Sequence, residues 1–229
     1  MGSMYGILRF VPIVTAILLL AGGPAGAVIL YDTLGPGDSY DIAWGAMLGS
    51  SPFDGPWLAG FTFSFAGEQA YELDRIEVAA CRVTGDNSVD IWLMTDAGGQ
   101  PGVSLESFGL HGMMGDIDQI NPLLFVSSYS RPVLSPDTPY WLVMTAPETT
   151  WATWNWASPD VPGLFAYRVG EDPWSVWPFK VAAFRIYGGE SAASLPVTVP
   201  VPGAALLVVL GLSSAGWCRR ARRRVRTTH

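Results

Sequence analysis

Short hydrophobic runs recur through the middle of the chain and are separated by clusters of Gly, Pro, Asp and Asn. Helical periodicity is nearly absent, and the runs are rich in aromatic and β-branched residues, which is typical of β-strands joined by turns. In residues 61–65 three phenylalanines alternate with Thr and Ser, as one face of a strand requires. The pattern predicts strands at 28–34, 59–65, 75–83, 89–94, 103–109, 123–127, 140–145, 150–156, 165–169 and 179–187.

Ten short strands with turn residues between them predict an all-β fold, an antiparallel β-sandwich of the jelly-roll-like kind, over residues 28–188. Residues 84–87, Thr-Gly-Asp-Asn, predict a tight hairpin because Gly and Asn tolerate positive φ. Residues 96–102, with three glycines and a proline, predict a longer loop.

The first 27 residues have the organisation of a secretory signal peptide. Arg9 leads into the apolar run 10–20, which is shorter than the roughly 20 residues that span a bilayer. Small residues follow, and Ala25 and Ala27 form the kind of site that signal peptidase cleaves. We therefore expect the domain at 28–188 to be exported.

The C-terminal region contains a second set of targeting signals. Residues 189–203 form a Pro/Val/Ser linker with the motif Pro200, Val201, Pro202, and residues 204–217 predict a hydrophobic anchor helix. The tail 218–229 carries an arginine cluster: Arg219, Arg220, Arg222, Arg223, Arg224 and Arg226. By the positive-inside rule this tail should stay cytoplasmic before any processing, which places the domain at the cell envelope or extracellular surface.

The proline-flanked motif, short apolar helix and arginine cluster at 200–226 together resemble the bacterial PEP-CTERM sorting signal. Val201 stands where that family has an acidic residue between the prolines. The resemblance implies a sorting transpeptidase of the exosortase type as a partner. The alternative is a plain C-terminal anchor of marginal length in the membrane.

Three motifs inside the domain carry a second resemblance. They are the loop at 96–102, the Thr-Pro-Tyr-Trp-Leu stretch at 138–142, and the Phe-Arg-Ile-Tyr-Gly stretch at 184–188. Their order resembles the choice-of-anchor β-sandwich domains of bacterial surface proteins. The resemblance implies display on a cell surface and supplies no catalytic residues.

The charges are distributed very unevenly along the chain. All 20 acids lie between Asp32 and Glu190, whereas this segment holds only six of the 13 basic residues, a net charge of −14. The formal net charge of −7 thus hides a much more acidic domain. Because affinity for nucleic acids depends on Lys and Arg at phosphates, general nucleic-acid binding is excluded.

Few residues are available for nucleophilic or zinc chemistry. His111 is the only histidine and Cys81 the only cysteine in the domain, and no G-x-S-x-G motif is present. Cys81 is expected to be a small buried hydrophobe within a strand. We therefore expect a protein that is not an enzyme, with a glycoside hydrolase using two carboxylates as the alternative.

Two acidic loops are candidates for Ca²⁺, which prefers carboxylate, amide and carbonyl oxygens. The candidate ligands are Asp86, Asn87 and Asp90 in the first loop, and Asp116 and Asp118, near Asn121, in the second. Neither spacing matches an EF-hand loop, and Asp and Asn are also common simply as turn residues.

Tryptophans are concentrated late in the domain. Trp154 and Trp156 are expected in the core, because they alternate on one strand face. Trp174 and Trp177, in a proline-bounded stretch, are the candidate ligand-binding residues, for which stacking on sugar rings and plain packing are both open. The sequence thus predicts a non-catalytic surface protein with extracellular polysaccharide as candidate partner, the alternatives being a hydrolase and a purely structural matrix protein.

Overall fold

The computed structural model describes residues 26–50 and 56–190, all of which belong to the first of the chain's two units, Met1–Ser191. Four predicted segments lie wholly or mostly outside the described residues. They are the signal peptide at 1–27, of which 1–25 are not described, the linker at 189–203, of which 191–203 are not described, the anchor helix and the arginine tail. Within the described ranges, no helix has the length and apolar character needed to cross a membrane.

The described residues form fifteen β-strands and no helix, which confirms the all-β prediction. The strands are β1 (Val28–Asp32), β2 (Tyr40–Gly49), β3 (Trp57–Phe63), β4 (Tyr71–Val78), β5 (Ala80–Gly85), β6 (Ser88–Asp96), β7 (Pro101–His111), β8 (Gly115–Asp116), β9 (Leu124–Ser127), β10 (Val133–Leu134), β11 (Tyr140–Thr145), β12 (Thr150–Ala157), β13 (Pro162–Val169), β14 (Ser175–Lys180) and β15 (Phe184–Glu190).

The strands build two sheets that pack in a sandwich-like arrangement. The small sheet has the order β1-β15-β4-β10, with β9 also paired to β4. The large sheet has the order β7-β6-β11-β3-β2-β12-β5-β8, and β13 joins β3 to β14. Pairing is antiparallel throughout these described strands except between β5 and β8. Among the described residues, β3 pairs with β2 only at Gly49 and Trp57.

Side chains from both sheets meet in one aromatic-rich core. Trp154 on β12 is fully buried, and its ring lies 4.9 Å from Phe61 of the large sheet and 5.8 Å from Phe184 of the small sheet. The indole Nε1 of Trp154 donates a hydrogen bond to the carbonyl of Ala183 at 3.2 Å, so its polar atom is also satisfied. The predicted core positions of Trp154 and Trp156 are confirmed.

All ten predicted strands overlap observed ones, but two predicted strands are each divided. The stretch 75–83 breaks at Ala79, where the chain passes from the small sheet to the large one. Strand β2 was not predicted because its sequence is interrupted by small and polar residues. Gly45 is required within it, since a Cβ atom there would lie 2.1 Å from the carbonyl oxygen of Trp154 on the neighbouring strand.

The predicted hairpin at 84–87 is wrong, although a turn is present. Strand β5 ends at Gly85, with φ of 82°, and pairs with β12, whereas β6 pairs with β7 and β11. The loop at 96–102 instead closes the hairpin between β6 and β7. There the Asp96 carboxylate accepts bonds from the Gly99 amide and, at 2.8 Å, from the Trp141 indole, which joins two of the sequence motifs.

Arg185 on β15 ties the small sheet together. Its guanidinium contacts Asp32 and Asp38 at 2.8 Å and Glu77 at 3.3 Å. Burial lowers the pKa of Arg185, but hydrogen bonds to Asp38, Tyr187 and Asp32 outweigh this and raise that pKa above its ordinary value. The cation therefore stays charged and links β1, β4 and the turn before β2 to the closing strand.

Candidate functional site

An open cleft lies between β2 and β12 on one side and β3, β13 and β14 on the other. Its volume is about 330 Å³. The residues that line it are Gly45, Ala46, Met47, Trp57, Trp156, Phe165, Tyr167 and Trp177. We call this feature the aromatic cleft, because five of the eight lining residues carry aromatic rings.

The aromatic cleft is built by the alternation of side chains along β13. Phe165 and Tyr167 fall on the same face, two residues apart, where Phe165 stacks on Phe61 and Tyr167 stacks on Trp57. Both pairs have centroids 5.2 Å apart and interplanar angles near 20°. Phe165 and Tyr167 are also nearly parallel, at 21°, so the four rings form a row across β3 and β13.

Trp177 borders this row from β14. Its register partner is Phe165, and its ring meets those of Phe165 and Tyr167 edge to face at 5.2 and 4.9 Å. The side chain is 37% exposed, and Met47 on the facing strand is 44% exposed. The predicted ligand-binding residue Trp177 therefore presents apolar surface to solvent at the edge of the cleft.

Trp174, the other predicted ligand-binding residue, lies on the opposite face of the large sheet. It is half-buried and packs with Val176 against the small cluster of Trp141, Val143 and Ala166. The guanidinium of Arg168 lies over its ring at 4.8 Å. The two tryptophans are thus separated by the sheet and cannot form one binding surface.

Sequence reasoning missed six of the eight residues that line the aromatic cleft: Gly45, Ala46, Met47, Trp57, Phe165 and Tyr167. The alternation of Phe165 and Tyr167 was a usable signal, because the strand at 165–169 was predicted. The pairing of that strand with β3, more than 100 residues away, could not be read from local pattern. Trp156 was assigned to the core, and it is indeed buried at 9% exposure while also lining the cleft.

The first predicted calcium loop is held by hydrogen bonds within the protein. The Asn87 side chain accepts a bond from the Met114 amide at 3.0 Å and donates one to the Met114 carbonyl at 2.7 Å. The carbonyl of Asp86 accepts a bond from the Thr150 hydroxyl at 2.8 Å. Asp90 lies on β6, half-buried. Asp86 and Asn87 therefore stabilise the turn through hydrogen bonds within the protein, and Asp90 is part of a strand.

The second predicted calcium loop is engaged by a cation. One carboxylate oxygen of Asp116 accepts bonds from Nε and Nη2 of Arg82, at 3.1 and 2.7 Å. Asp118 has a φ of 61°, and the side-chain Nδ2 of Asn121 donates a hydrogen bond to the Asp116 carbonyl. Within residues 26–50 and 56–190, no three His, Cys, Asp or Glu side chains converge as a metal site would require. Calcium binding stays a prediction.

The single cysteine and histidine of the domain lie apart from the aromatic cleft lining. Cys81 is 1% exposed, which confirms its prediction as a buried small hydrophobe. Burial raises the pKa of Cys81 to about 11, although a side-chain hydrogen bond with Asn155 offsets part of this rise. The thiol is therefore neutral at physiological pH and a poor nucleophile. His111 Nδ1 shares a hydrogen bond with the Ser88 hydroxyl at 2.8 Å.

Searches of family models, of curated proteins and of solved structures found no match to this chain. The resemblances to PEP-CTERM and choice-of-anchor proteins stay predictions, and the aromatic cleft is interpreted from its own geometry.

Proposed function

We propose that this protein is an exported bacterial surface protein, anchored at the cell envelope, whose jelly-roll-like sandwich binds sugar units of an extracellular polysaccharide in the aromatic cleft. The observation that carries the proposal is the open aromatic cleft between β2 and β13, bordered by the partly exposed ring of Trp177. The terminal targeting signals of the sequence support the location.

Stacking on a partly exposed ring, that of Trp177, explains why the aromatic cleft suits a sugar. A pyranose ring has a face of C–H groups, and a flat aromatic ring gives that face an apolar surface to cover. Trp177 and Met47 leave this surface partly exposed to water. Contiguous exposed apolar surface on a soluble domain marks a site of interaction.

The volume of the cleft is consistent with a ligand of this size. Small-molecule sites typically enclose about 300–1,000 Å³, and the cleft encloses about 330 Å³. It is open at the surface between strands, so a polymer can continue beyond the units that the rings contact. Backbone atoms of Gly45 in β2 border the same space.

The competing hydrolase hypothesis needs two carboxyl groups that face each other about 5–9.5 Å apart. The most buried carboxylate among the described residues, Glu106, accepts hydrogen bonds from Ser128, Tyr129 and Ser130 and has a structural role.

The third possibility, a matrix protein with no specific ligand, predicts that no sugar binds at all.

The test is binding of neutral oligosaccharides to the full chain in detergent, first on a glycan array and then by calorimetric titration of the best ligand. Trp177→Ala should weaken binding about tenfold or more, because it removes the apolar surface of the indole ring that the sugar would cover. Trp177→Phe should retain part of the affinity. Trp174→Ala is the matched control on the other face and should bind like the wild type.

Two outcomes would contradict the proposal. One is that no neutral oligosaccharide binds the wild-type protein, which would favour the matrix hypothesis. The other is that Trp174→Ala and Trp177→Ala reduce binding equally, which would place the ligand elsewhere. Circular dichroism of each variant verifies that the sheets are intact.

A further inference from the structure

The basic side chains of the domain differ sharply in their partners. Five of the six form ion pairs: Arg75 with Glu77, Arg82 with Asp116, Arg131 with Glu72, Lys180 with Asp160, and Arg185 with Asp32, Asp38 and Glu77. Arg168 forms no ion pair with any residue that the structure describes. Acids outnumber bases by 20 to six in this segment, so an arginine without an ion pair to any described acid stands out.

Arg168 is held in place by stacking. It lies on β13 beside Leu58 of β3, and its guanidinium carbon is 4.8 Å from the centre of the Trp174 ring. Its Nε atom is buried and has no hydrogen-bond partner among the described residues. Stacking uses the flat face of the guanidinium and leaves the N–H donors at its edge available for an acceptor in the same plane.

A small cavity of about 190 Å³ adjoins this arginine. We call it the Arg168 pocket, and its lining includes Trp92, Met94, Ser104, Val143, Arg168 and Trp174. It is smaller than the roughly 300 Å³ at which sites for drug-sized ligands begin. A single ring or substituent therefore matches its size.

We propose that the Arg168 pocket binds a uronate, a sugar ring that carries one carboxylate. The carboxylate would accept two parallel hydrogen bonds from the edge of the Arg168 guanidinium, the geometry that this group favours. The indoles of Trp92 and Trp174 offer surface to the C–H face of the ring, and the Ser104 hydroxyl lies in the lining for a sugar hydroxyl. The proposal is independent of neutral-sugar binding in the aromatic cleft, which lies on the opposite face of the sheet.

The net charge of the domain favours singly charged anionic ligands over multiply charged ones. Its net charge of −14 between the terminal segments repels multiply charged groups such as phosphates at long range. One carboxylate incurs less of this repulsion and matches the planar donor edge of arginine. A peptide C-terminus shares the carboxylate but lacks the ring with a C–H face and hydroxyls, which is why a sugar acid is the favoured ligand.

The test compares two ligands that differ only in the carboxylate, methyl glucuronide and methyl glucoside, by titration against the full chain in detergent. The uronide should bind about tenfold or more tightly than the glucoside, as expected for a charge-assisted contact. Arg168→Gln should abolish this preference. Arg168→Lys keeps the charge but loses the planar pair of donors and should weaken uronide binding several-fold. Trp177→Ala should lower the affinity for the glucoside and keep the Arg168-dependent preference for the uronide, which separates this site from the aromatic cleft.

Equal affinity for the two glycosides would overturn the proposal, as would uronide binding that survives Arg168→Gln. Loss of uronide binding in Trp177→Ala would assign the ligand to the aromatic cleft instead. A short peptide acid that binds as tightly as the uronide, with the same dependence on Arg168, would overturn the sugar assignment. If thermal melting shows that Arg168→Gln is not folded, two other results decide whether the pocket binds a uronate. They are the preference of the wild type for the uronide over the glucoside and the effect of Arg168→Lys on that preference.

Discussion

Glu106 is a buried carboxylate whose removal should be costly. It lies on β7, is 3% exposed, and accepts hydrogen bonds from the Ser128 hydroxyl at 2.6 Å, the Tyr129 amide at 2.7 Å and the Ser130 amide at 3.0 Å. The segment that it holds connects β9 to β10 and contains Arg131 in the left-handed region, with φ of 48°. Glu106 therefore fastens a turn of the small sheet to the large sheet.

The expected effect follows from the three bonds. Glu106→Ala leaves two amides and one hydroxyl without their acceptor, and bonds to a charged group contribute about 1.5 kcal/mol or more each. We expect a loss of about 3–5 kcal/mol in the free energy of unfolding. Glu106→Gln keeps one oxygen for the two amides and an N–H₂ group facing Ser128, so we expect a loss of only about 1–2 kcal/mol.

Urea unfolding followed by tryptophan fluorescence measures both variants, and thermal melting gives a second readout. For a domain of this size, about 1 kcal/mol corresponds to 2–4 °C in Tm. Glu148→Ala is the matched control because it removes an exposed carboxylate, which should change stability by less than about 0.5 kcal/mol. A Glu106→Ala variant within about 1 kcal/mol of this control would refute the structural role.

Two further predictions concern the thiol and the tail. Because burial raises the pKa of Cys81 from 9.0 to about 11, the unfolded chain loses its thiol proton first, so stability should fall as pH rises from about 9 to about 11. Urea unfolding across that range should show a decrease of up to about 2–3 kcal/mol that is reduced in Cys81→Ala; an identical pH dependence in both proteins would contradict it. The sorting-signal resemblance predicts that the mature protein has lost the arginine tail at 218–229. Mass spectrometry of the protein from its native envelope tests this, and an intact tail would reject processing.

Much of the fold could be predicted from the sequence because strand formation is encoded locally. Apolar runs rich in aromatic and β-branched residues between turn residues predicted ten strands. Alternation assigned Trp154 to the interior, and the small apolar character of cysteine assigned Cys81 there. The same local reading failed where a strand carries small residues, as around Gly45, and where one predicted strand serves two sheets, as at Ala79. Its hairpin at 84–87 was wrong because turn residues report a change of direction and not the identity of the partner strand.

The candidate sites also depend partly on features that the sequence predicts and partly on features that only the tertiary structure decides. Sequence alone named Trp174 and Trp177 as candidate ligand-binding residues, with plain packing as the alternative, and established the acidity of the domain. Only the tertiary structure brings Trp57 against Tyr167 across more than 100 residues, puts Trp174 on the other face, and leaves Arg168 without an ion pair to any described acid. The physical reason is that side-chain alternation depends on neighbouring residues, whereas strand pairing and charge pairing depend on contacts between residues distant along the chain.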